Sequence, residues 1–231
     1  MWEDHGLDSK SIENREFANM ALKDERDLNS KFRLKFTMDK VFALLAGILF
    51  SPIITFICLS IWIEGLFCRE SRGPVLHKEE RISQGKRFCL LKFRVLKTSV
   101  SREMTETDSA TFLQFETENT TWTGKLLIKF YLDEVPQFFH IFLGQMSFVG
   151  PRPRIPSVYE EDLQDGFTAL KYLRGSITGP HQLAKGIENN PRYLSEKYLG
   201  QCRVYTPSKL LRYDLSVMVK TIFKNLKGEG L

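Results

Sequence analysis

Two carboxylates side by side, Asp133 and Glu134, stand ahead of an apolar run that closes on Gly144, and an arginine held between two prolines, Pro151-Arg152-Pro153, follows. Adjacent carboxylates can hold a hard cation such as Mg²⁺, which takes one or two protein carboxylates and completes its shell with phosphate oxygens and water. A carboxylate can also attack phosphorus itself and give an acyl phosphate. A guanidinium fixed at a proline turn presents a planar fork to a phosphate. These residue types together describe a phosphate-handling site. Taken alone, the acidic pair has a plainer reading, in which it complements the dipole of the following helix and Arg152 is a surface charge.

Elements must hold these groups in place. Val135, Phe138, Phe139 and Phe142 recur at helical spacing, with Pro136 tolerated in a first turn, so the pattern predicts a helix that opens at the two acids, carries one apolar stripe and stops at Gly144. Gly73 to Arg94 reads as two short strands around Gln84-Gly85-Lys86, with Cys89, Leu90, Leu91 and Phe93 apolar and Lys92 and Arg94 interleaved. Residues 99–121 are rich in Ser, Thr and Glu and read as a surface excursion with a short helix at Ala110 to Phe115. From Ser208 to Lys227, the residues Leu211, Leu215, Met218, Val219, Ile222 and Leu226 repeat at helical spacing among basic residues. That stripe suits the membrane interface and a domain core equally. His181, as a lone histidine, reads as structural.

One apolar run, Val41 to Ile63, carries no charge and is long enough to cross a bilayer, yet it holds Ser51-Pro52 at its middle. It reads as a spanning helix with a bend or as a re-entrant hairpin. Lys31, Arg33, Lys35 and Lys40 precede it and Arg69 and Arg72 follow, and positive charge on both flanks favours two cytoplasmic ends. The run begins too far from Met1, and lacks the small-residue pattern, for a cleaved signal peptide. With 231 residues and 42% hydrophobic content there is material for one domain and an anchor. The net charge of +5 suits acidic partners such as phospholipid headgroups or nucleotide phosphates. The absence of zinc-finger spacing, of an RNP-type motif and of a long basic run argues against nucleic acid. Cys58, Cys68, Cys89 and Cys202 have no pairing or metal spacing and read as reduced cytosolic thiols. Residues 1–30 are polar and aperiodic, and no chemistry is assigned to them.

The stretch from Leu132 to Pro153 resembles the signature of the bacterial polyprenyl-phosphate phosphoglycosyl transferases, monotopic enzymes that start glycoconjugate assembly. Further matches follow in chain order: Gly73-Pro-Val75, Glu80-Arg81, Lys92-Phe-Arg94, the run GSITGPHQ from Gly175 to Gln182, and Lys227-Gly-Glu-Gly230. They cover roughly residues 38–231. The resemblance implies a helix-rich α/β fold with few short strands: a polar extension over 1–37, a re-entrant membrane helix hairpin over 38–66 broken at Ser51 and Pro52, and a cytoplasmic transferase domain with interfacial amphipathic helices over 67–231.

It implies transfer of a sugar 1-phosphate from a UDP-sugar to undecaprenyl phosphate with release of UMP, at the cytoplasmic face of the bacterial inner membrane. Asp133 would be the nucleophile, and Asp133 with Glu134 would hold Mg²⁺. Lys92, Arg94, Lys129, Arg152, Gln182 and Lys185 would contact phosphate or substrate, the last two within a sugar-nucleotide region from Leu173 to Asn190. Membrane lipids are further partners, and a homodimer is left open. The chain departs from the pattern at Ile128, where an arginine is usual and Lys129 is the substitute. It departs again at His140 in place of Asn, Gln145 in place of Asp, Lys185-Gly186 in place of Gly-Arg, and Cys202 in place of an acid. These losses keep open a catalytically silent homologue that partners an active transferase. A peripheral lipid-binding protein would leave Asp133, Glu134 and the Pro-Arg-Pro turn unexplained.

Overall fold

The structure is a computed structural model, and it describes residues 32–98, 100, 118–184 and 191–226. The expected helix at Ala110 to Phe115, Lys185, the final Lys-Gly-Glu-Gly and nearly all of the 1–37 extension lie outside those residues.

The chain's longest element is α1, Arg33–Phe67, a single 35-residue helix that begins earlier than the expected anchor and continues through Pro52. Proline at this position removes the amide that would reach the Ile48 carbonyl. The Ser51 hydroxyl donates to that carbonyl instead, at 2.7 Å, and Thr55 Oγ1 donates to the Ser51 carbonyl at 2.9 Å. The Ser-Pro pair therefore keeps its backbone acceptors satisfied inside an apolar segment. Over its most apolar eighteen residues α1 has mean hydropathy 2.5, and 11% of that window is buried.

One face of α1 packs on the domain along its whole length. Ala43 joins a core with Phe32, Ile141, Met146, Val149, Tyr198 and Leu210. Ile57 and Ile61 join a second core with Phe93, Val95, Leu96, Leu127 and Val135. The opposite face, including Leu45, Ile48, Leu49, Ile53, Phe56 and Ile63, is exposed. A helix apolar all round with one face uncovered suits contact with lipid.

Strands β1, Leu76–Ser83, and β2, Lys86–Phe93, form the expected antiparallel hairpin. Gln84 and Gly85 both have positive φ, 50° and 69°, the conformation a two-residue hairpin turn demands. Helix α2, Trp122–Lys129, then leads through a 3₁₀ turn, Leu132–Glu134, to α3, Gln137–Phe142. Strand β3, Met146–Val149, pairs in parallel with β4, Gly175–Thr178, across α4, Pro156–Gln164, and α5, Ala169–Tyr172. Short α6, Pro180–Leu183, precedes α7, Pro191–Val204, and α8, Pro207–Leu226.

Three expectations need correction. The acids do not open the Phe-rich helix; they occupy their own 3₁₀ turn ahead of it. Nor is there one buried stripe: Val135 is buried, but Phe139 and Phe142 are exposed, because α3 turns Gln137, His140 and Ile141 inward. Lys35 is not a flanking interfacial charge. It is buried, donating to Asp214 Oδ2 at 2.7 Å and to the Val149 carbonyl at 3.0 Å, while Tyr198 donates to Asp214 Oδ1 at 2.7 Å. On α8 the buried face is Leu210, Asp214 and Val217, whereas Leu215, Val219 and Ile222 of the repeated stripe are exposed. Packing on the core accounts for Met218 of that stripe but not for those three residues.

Candidate active site

The parallel pair β3–β4 carries the proline turn. Gly150 N–H donates to the Thr178 carbonyl at 3.0 Å and Ser176 N–H to the Pro151 carbonyl at 2.8 Å. A Cβ on Gly175 would lie 2.6 Å from the Pro153 ring, and one on Gly179 only 2.2 Å from the Gly150 carbonyl. The glycines of GSITG are thus required by close approach of the turn. The hairpin is tied on by Ile82 N–H to the Arg154 carbonyl, at 2.7 Å.

Asp133 faces the hairpin. With His77, Glu79, Lys92 and Arg94 it lines a small cleft. Burial, and next the charge of Glu134, push its carboxyl up to about 6, while Lys92 and Arg152 oppose them. A carboxylate so placed is ionised at neutral pH but poorly solvated, as a nucleophile toward phosphorus requires. Arg152, exposed, reaches Glu134 Oε1 at 3.4 Å. The turn is entered through Tyr131, whose left-handed backbone (φ 55°) is strained for a bulky residue. The Tyr131 hydroxyl is buried beside the two acids and has no hydrogen-bond partner.

Lys92 and Arg152 both bear on Asp133. Arg94 lines the same cleft, but its guanidinium donates to the carbonyls of Ser71, Pro74 and Leu96 at 2.6, 2.8 and 3.3 Å. Its contacts hold the chain before β1 against the chain after β2. Lys129 is exposed, with its ammonium 5.6 Å from the centre of the Phe130 ring, and is not among the charges that act on Asp133. Gln182 Oε1 is buried without a partner.

Sequence reasoning missed Glu79. Its carboxylate accepts from Arg81, lies 3.7 Å from the Lys92 ammonium and 3.5 Å from His77, and is held below the usual carboxylate range by Lys92 and Arg81 against the opposing effect of burial. Strand alternation across the hairpin, which sets His77 opposite Lys92, was the available signal. A second cleft on the far side of Arg152, with Arg154, Asp162, His181 and Arg192 in its lining, was also missed.

Among the described residues no three His, Cys, Asp or Glu side chains gather as a metal cage. Asp133 and Glu134 still fit a magnesium ion that draws its other ligands from phosphate oxygens and water. Their mutual repulsion, part of what raises Asp133, is the excess negative charge a cation would relieve.

Residues 30–228 match the family described as bacterial sugar transferase. The chain is 32% identical over 199 residues to the UDP-N-acetylgalactosamine-undecaprenyl-phosphate N-acetylgalactosaminephosphotransferase of Aeromonas hydrophila, covering 85% of this chain and 44% of that protein. It is 31% identical over 192 residues to the UDP-glucose:undecaprenyl-phosphate glucose-1-phosphate transferase of Klebsiella pneumoniae, covering 80% and 38%. It is 27% identical over 213 residues to the undecaprenyl-phosphate galactose phosphotransferase of Salmonella typhimurium, covering 87% and 42%. The chain spans about two fifths of the length of these relatives.

Proposed function

The chain belongs to the bacterial sugar transferase family, and from that membership we propose that it transfers a sugar 1-phosphate from a UDP-sugar to undecaprenyl phosphate. The observation that carries this reading is Asp133, a partly buried carboxylate raised to about 6 with Lys92 and Arg152 bearing on it. An Asp133 carboxylate oxygen attacks the sugar-proximal phosphorus of the donor. The bond from that phosphorus to the bridging oxygen breaks, and its electron pair leaves on UMP. The phosphate oxygen of the polyprenyl acceptor then attacks the same phosphorus, and the acyl-phosphate bond to Asp133 breaks, restoring the carboxylate.

Lys92, positioned by Glu79, and Arg152 stabilise the negative charge on the phosphoryl oxygens. Magnesium held by Asp133 and Glu134 would supply further charge neutralisation when bound. Arg94 is assigned to holding the cleft's wall.

The same reading places the enzyme on the cytoplasmic face of the inner membrane, with α1 re-entrant. Support comes from the packing of α1: the domain touches Ala43 near one end and Ile57 and Ile61 near the other, which favours both flanks lying on the domain's side. Leu132 and Val135, which flank the acids, belong to the Ile57–Ile61 core. The nucleophile therefore sits beside the anchor, where an isoprenoid phosphate can reach it without leaving lipid.

The test is UMP release by protein in nanodiscs given undecaprenyl phosphate, Mg²⁺ and a panel of UDP-sugars, with Asp133→Asn as control. Release with one donor and none from the variant supports the reading; equal release from the variant excludes the covalent route. Silence across the panel favours a silent partner of an active transferase, a reading to which Ile128 lends weight because it packs against the second core and offers no cation.

A further inference from the structure

Strand β3 is buried at all four positions, yet among the described residues it has a neighbouring strand, β4, on one side only. Its remaining backbone groups must find partners in the interior. Among the described residues, three side chains come within reach of its last carbonyl, that of Val149: the Lys35 ammonium at 3.0 Å, the Ser147 hydroxyl at 3.2 Å and the Tyr198 hydroxyl at 3.5 Å. A hydroxyl has a single proton to give. Ser147 has a nearer acceptor in Asp39 Oδ2, at 2.7 Å, and Tyr198 has one in Asp214 Oδ1, also at 2.7 Å. Lys35, with three protons, is the donor that serves Asp214 and the Val149 carbonyl at once.

That carbonyl is where β3 becomes the proline turn. Gly150, Pro151, Arg152 and Pro153 follow it directly, and the two prolines fix φ on either side of the arginine. The turn is fastened to β4 through the Gly150 amide and through the Pro151 carbonyl, which accepts from both the amide and the hydroxyl of Ser176. At its root it is held by α1, α7 and α8, which supply Lys35, Tyr198 and Asp214. Lys35 stands in the first turn of α1, between Phe32 and Phe36, which pack in the first core. The Thr221 hydroxyl of α8 meets that of Thr178, the β4 residue paired with Val149, at 2.6 Å. These three helices supply none of the groups assigned to the phosphorus, yet they fix where the turn begins.

We propose that Lys35 is a positioning residue for phosphoryl transfer: by holding the Val149 carbonyl while paired with Asp214, it fixes the point from which the Pro-Arg-Pro turn aims Arg152 at the reacting phosphate. This rests on the transferase reading above and adds to it a residue that never meets substrate. A buried ion pair holds a core no better than apolar groups of the same volume. What the ammonium adds is a directed hydrogen bond to a backbone oxygen three residues from the arginine. A displacement of about 1 Å at a group that stabilises the transition state is enough to lower the rate severely. Docking of the first turn of α1 is thereby a condition for an aligned Arg152.

The experiment compares the full chain in nanodiscs as wild type, Lys35→Met with Asp214→Asn, Lys35→Arg, Arg152→Lys, and the paired variant combined with Arg152→Lys. The paired variant removes both charges together, so neither is left alone in the interior, and unfolding curves establish that it folds. Given undecaprenyl phosphate, Mg²⁺ and the member of the UDP-sugar panel that the wild type turns over, it should lose about tenfold in kcat/KM per folded molecule. In the Arg152→Lys background the same change should lower kcat/KM by less than about twofold, since both act through one group. Lys35→Arg, which keeps a charged donor, should recover part of the loss. If the paired variant does not fold, Lys35→Gln, with a neutral donor, serves in its place. Amide hydrogen exchange gives a readout that needs no turnover: residues 148–152 should exchange about tenfold faster in the paired variant while the β1–β2 hairpin keeps its rates.

Unchanged kcat/KM in the folded variant, the same loss with and without the Arg152 guanidinium, or faster exchange spread evenly over the chain overturns the assignment. The two readings fail separately. Exchange quickened only at residues 148–152, with no UDP-sugar turned over, keeps the tether and sinks the transferase; transfer indifferent to the paired change keeps the transferase and sinks the tether.

Discussion

The imidazole Nδ1 of His140 lies 2.7 Å from Oε1 of Gln145, and these are two of the positions at which the chain departs from the signature it resembles. The Leu91 amide donates to Nε2 at 3.0 Å, so Nδ1 carries the proton and gives it to Gln145. The two departures answer each other, and through Leu91 they tie α3 to the hairpin. Replacing either by alanine should cost about 1 kcal/mol or more, since the His140 change takes the acceptor from the Leu91 amide and the Gln145 change leaves the buried His140 Nδ1–H without one. The double variant should cost less than the sum by about 1 kcal/mol. Thermal or denaturant unfolding of the four proteins measures this, and strict additivity would mean that the contact contributes nothing.

Asp133 should trade stability for chemistry. A carboxyl raised to about 6 binds its proton more tightly folded than unfolded, so it destabilises the fold above that pH. The penalty is relieved as the pH falls from about 6 toward the ordinary value of 3.8. Asp133→Asn should therefore abolish turnover while raising stability at pH 7 by roughly 3 kcal/mol. A variant that is both inactive and less stable would contradict the proposed origin of the shift.

Since the nucleophile must be ionised, kcat/KM should be flat above pH 7, and its acid limb, approaching tenfold per pH unit, should lie below the value of about 6 that holds without the cation, because Mg²⁺ favours the charged carboxylate. Lys92 favours the charged form, so Lys92→Met should move the acid limb to higher pH as well as lower the plateau. A pH–rate profile whose midpoint does not move in that variant would remove Lys92 from the site.

Arg94 and Arg152 should separate cleanly. Arg94→Lys loses a guanidinium that serves three carbonyls and should destabilise by roughly 2 kcal/mol, with KM for the donor little changed among folded molecules. Arg152→Lys, at an exposed position, should leave unfolding within about 0.5 kcal/mol and lower kcat/KM by about tenfold or more. Steady-state kinetics beside unfolding curves decide this, and a reversed pattern would exchange the two roles.

For α1, single cysteines introduced at Lys40 and Arg72 in a background without native cysteines should both react with an impermeant maleimide from the cytoplasmic side of sealed inverted vesicles. Labelling of the two from opposite faces would show a helix that crosses.

Much of this was legible in the residues. Gln84-Gly85 announced its turn because both positions need positive φ, and β1 and β2 followed from alternation. The phosphate-handling motifs were visible because charge and proline are conspicuous. Glu79, Lys35 and Asp214 were not, since a charged side chain near an apolar run reads as solvated until a partner far along the chain is seen to bury it. His181 was read as structural, because spacing does not reveal that both of its ring nitrogens are buried without a partner. The α3 stripe misled because that helix carries apolar residues on its exposed face, Phe139 and Phe142, as well as on its covered one, so spacing does not tell which face is covered.

The Lys35–Asp214 pair joins residues 179 positions apart. Lys35 is made 179 residues before Asp214, so until α8 emerges the first turn of α1 has only Asp39, 3.9 Å away on the next turn, as a counter-charge. The first turn of α1 thus waits on α8, and the fold closes like a clasp once both ends of that span exist. Truncation from the C-terminus past residue 214 would leave Lys35 without the acid that meets it in the interior, so the formation of α1 and its final packing are two events separated in time by the synthesis of everything between them.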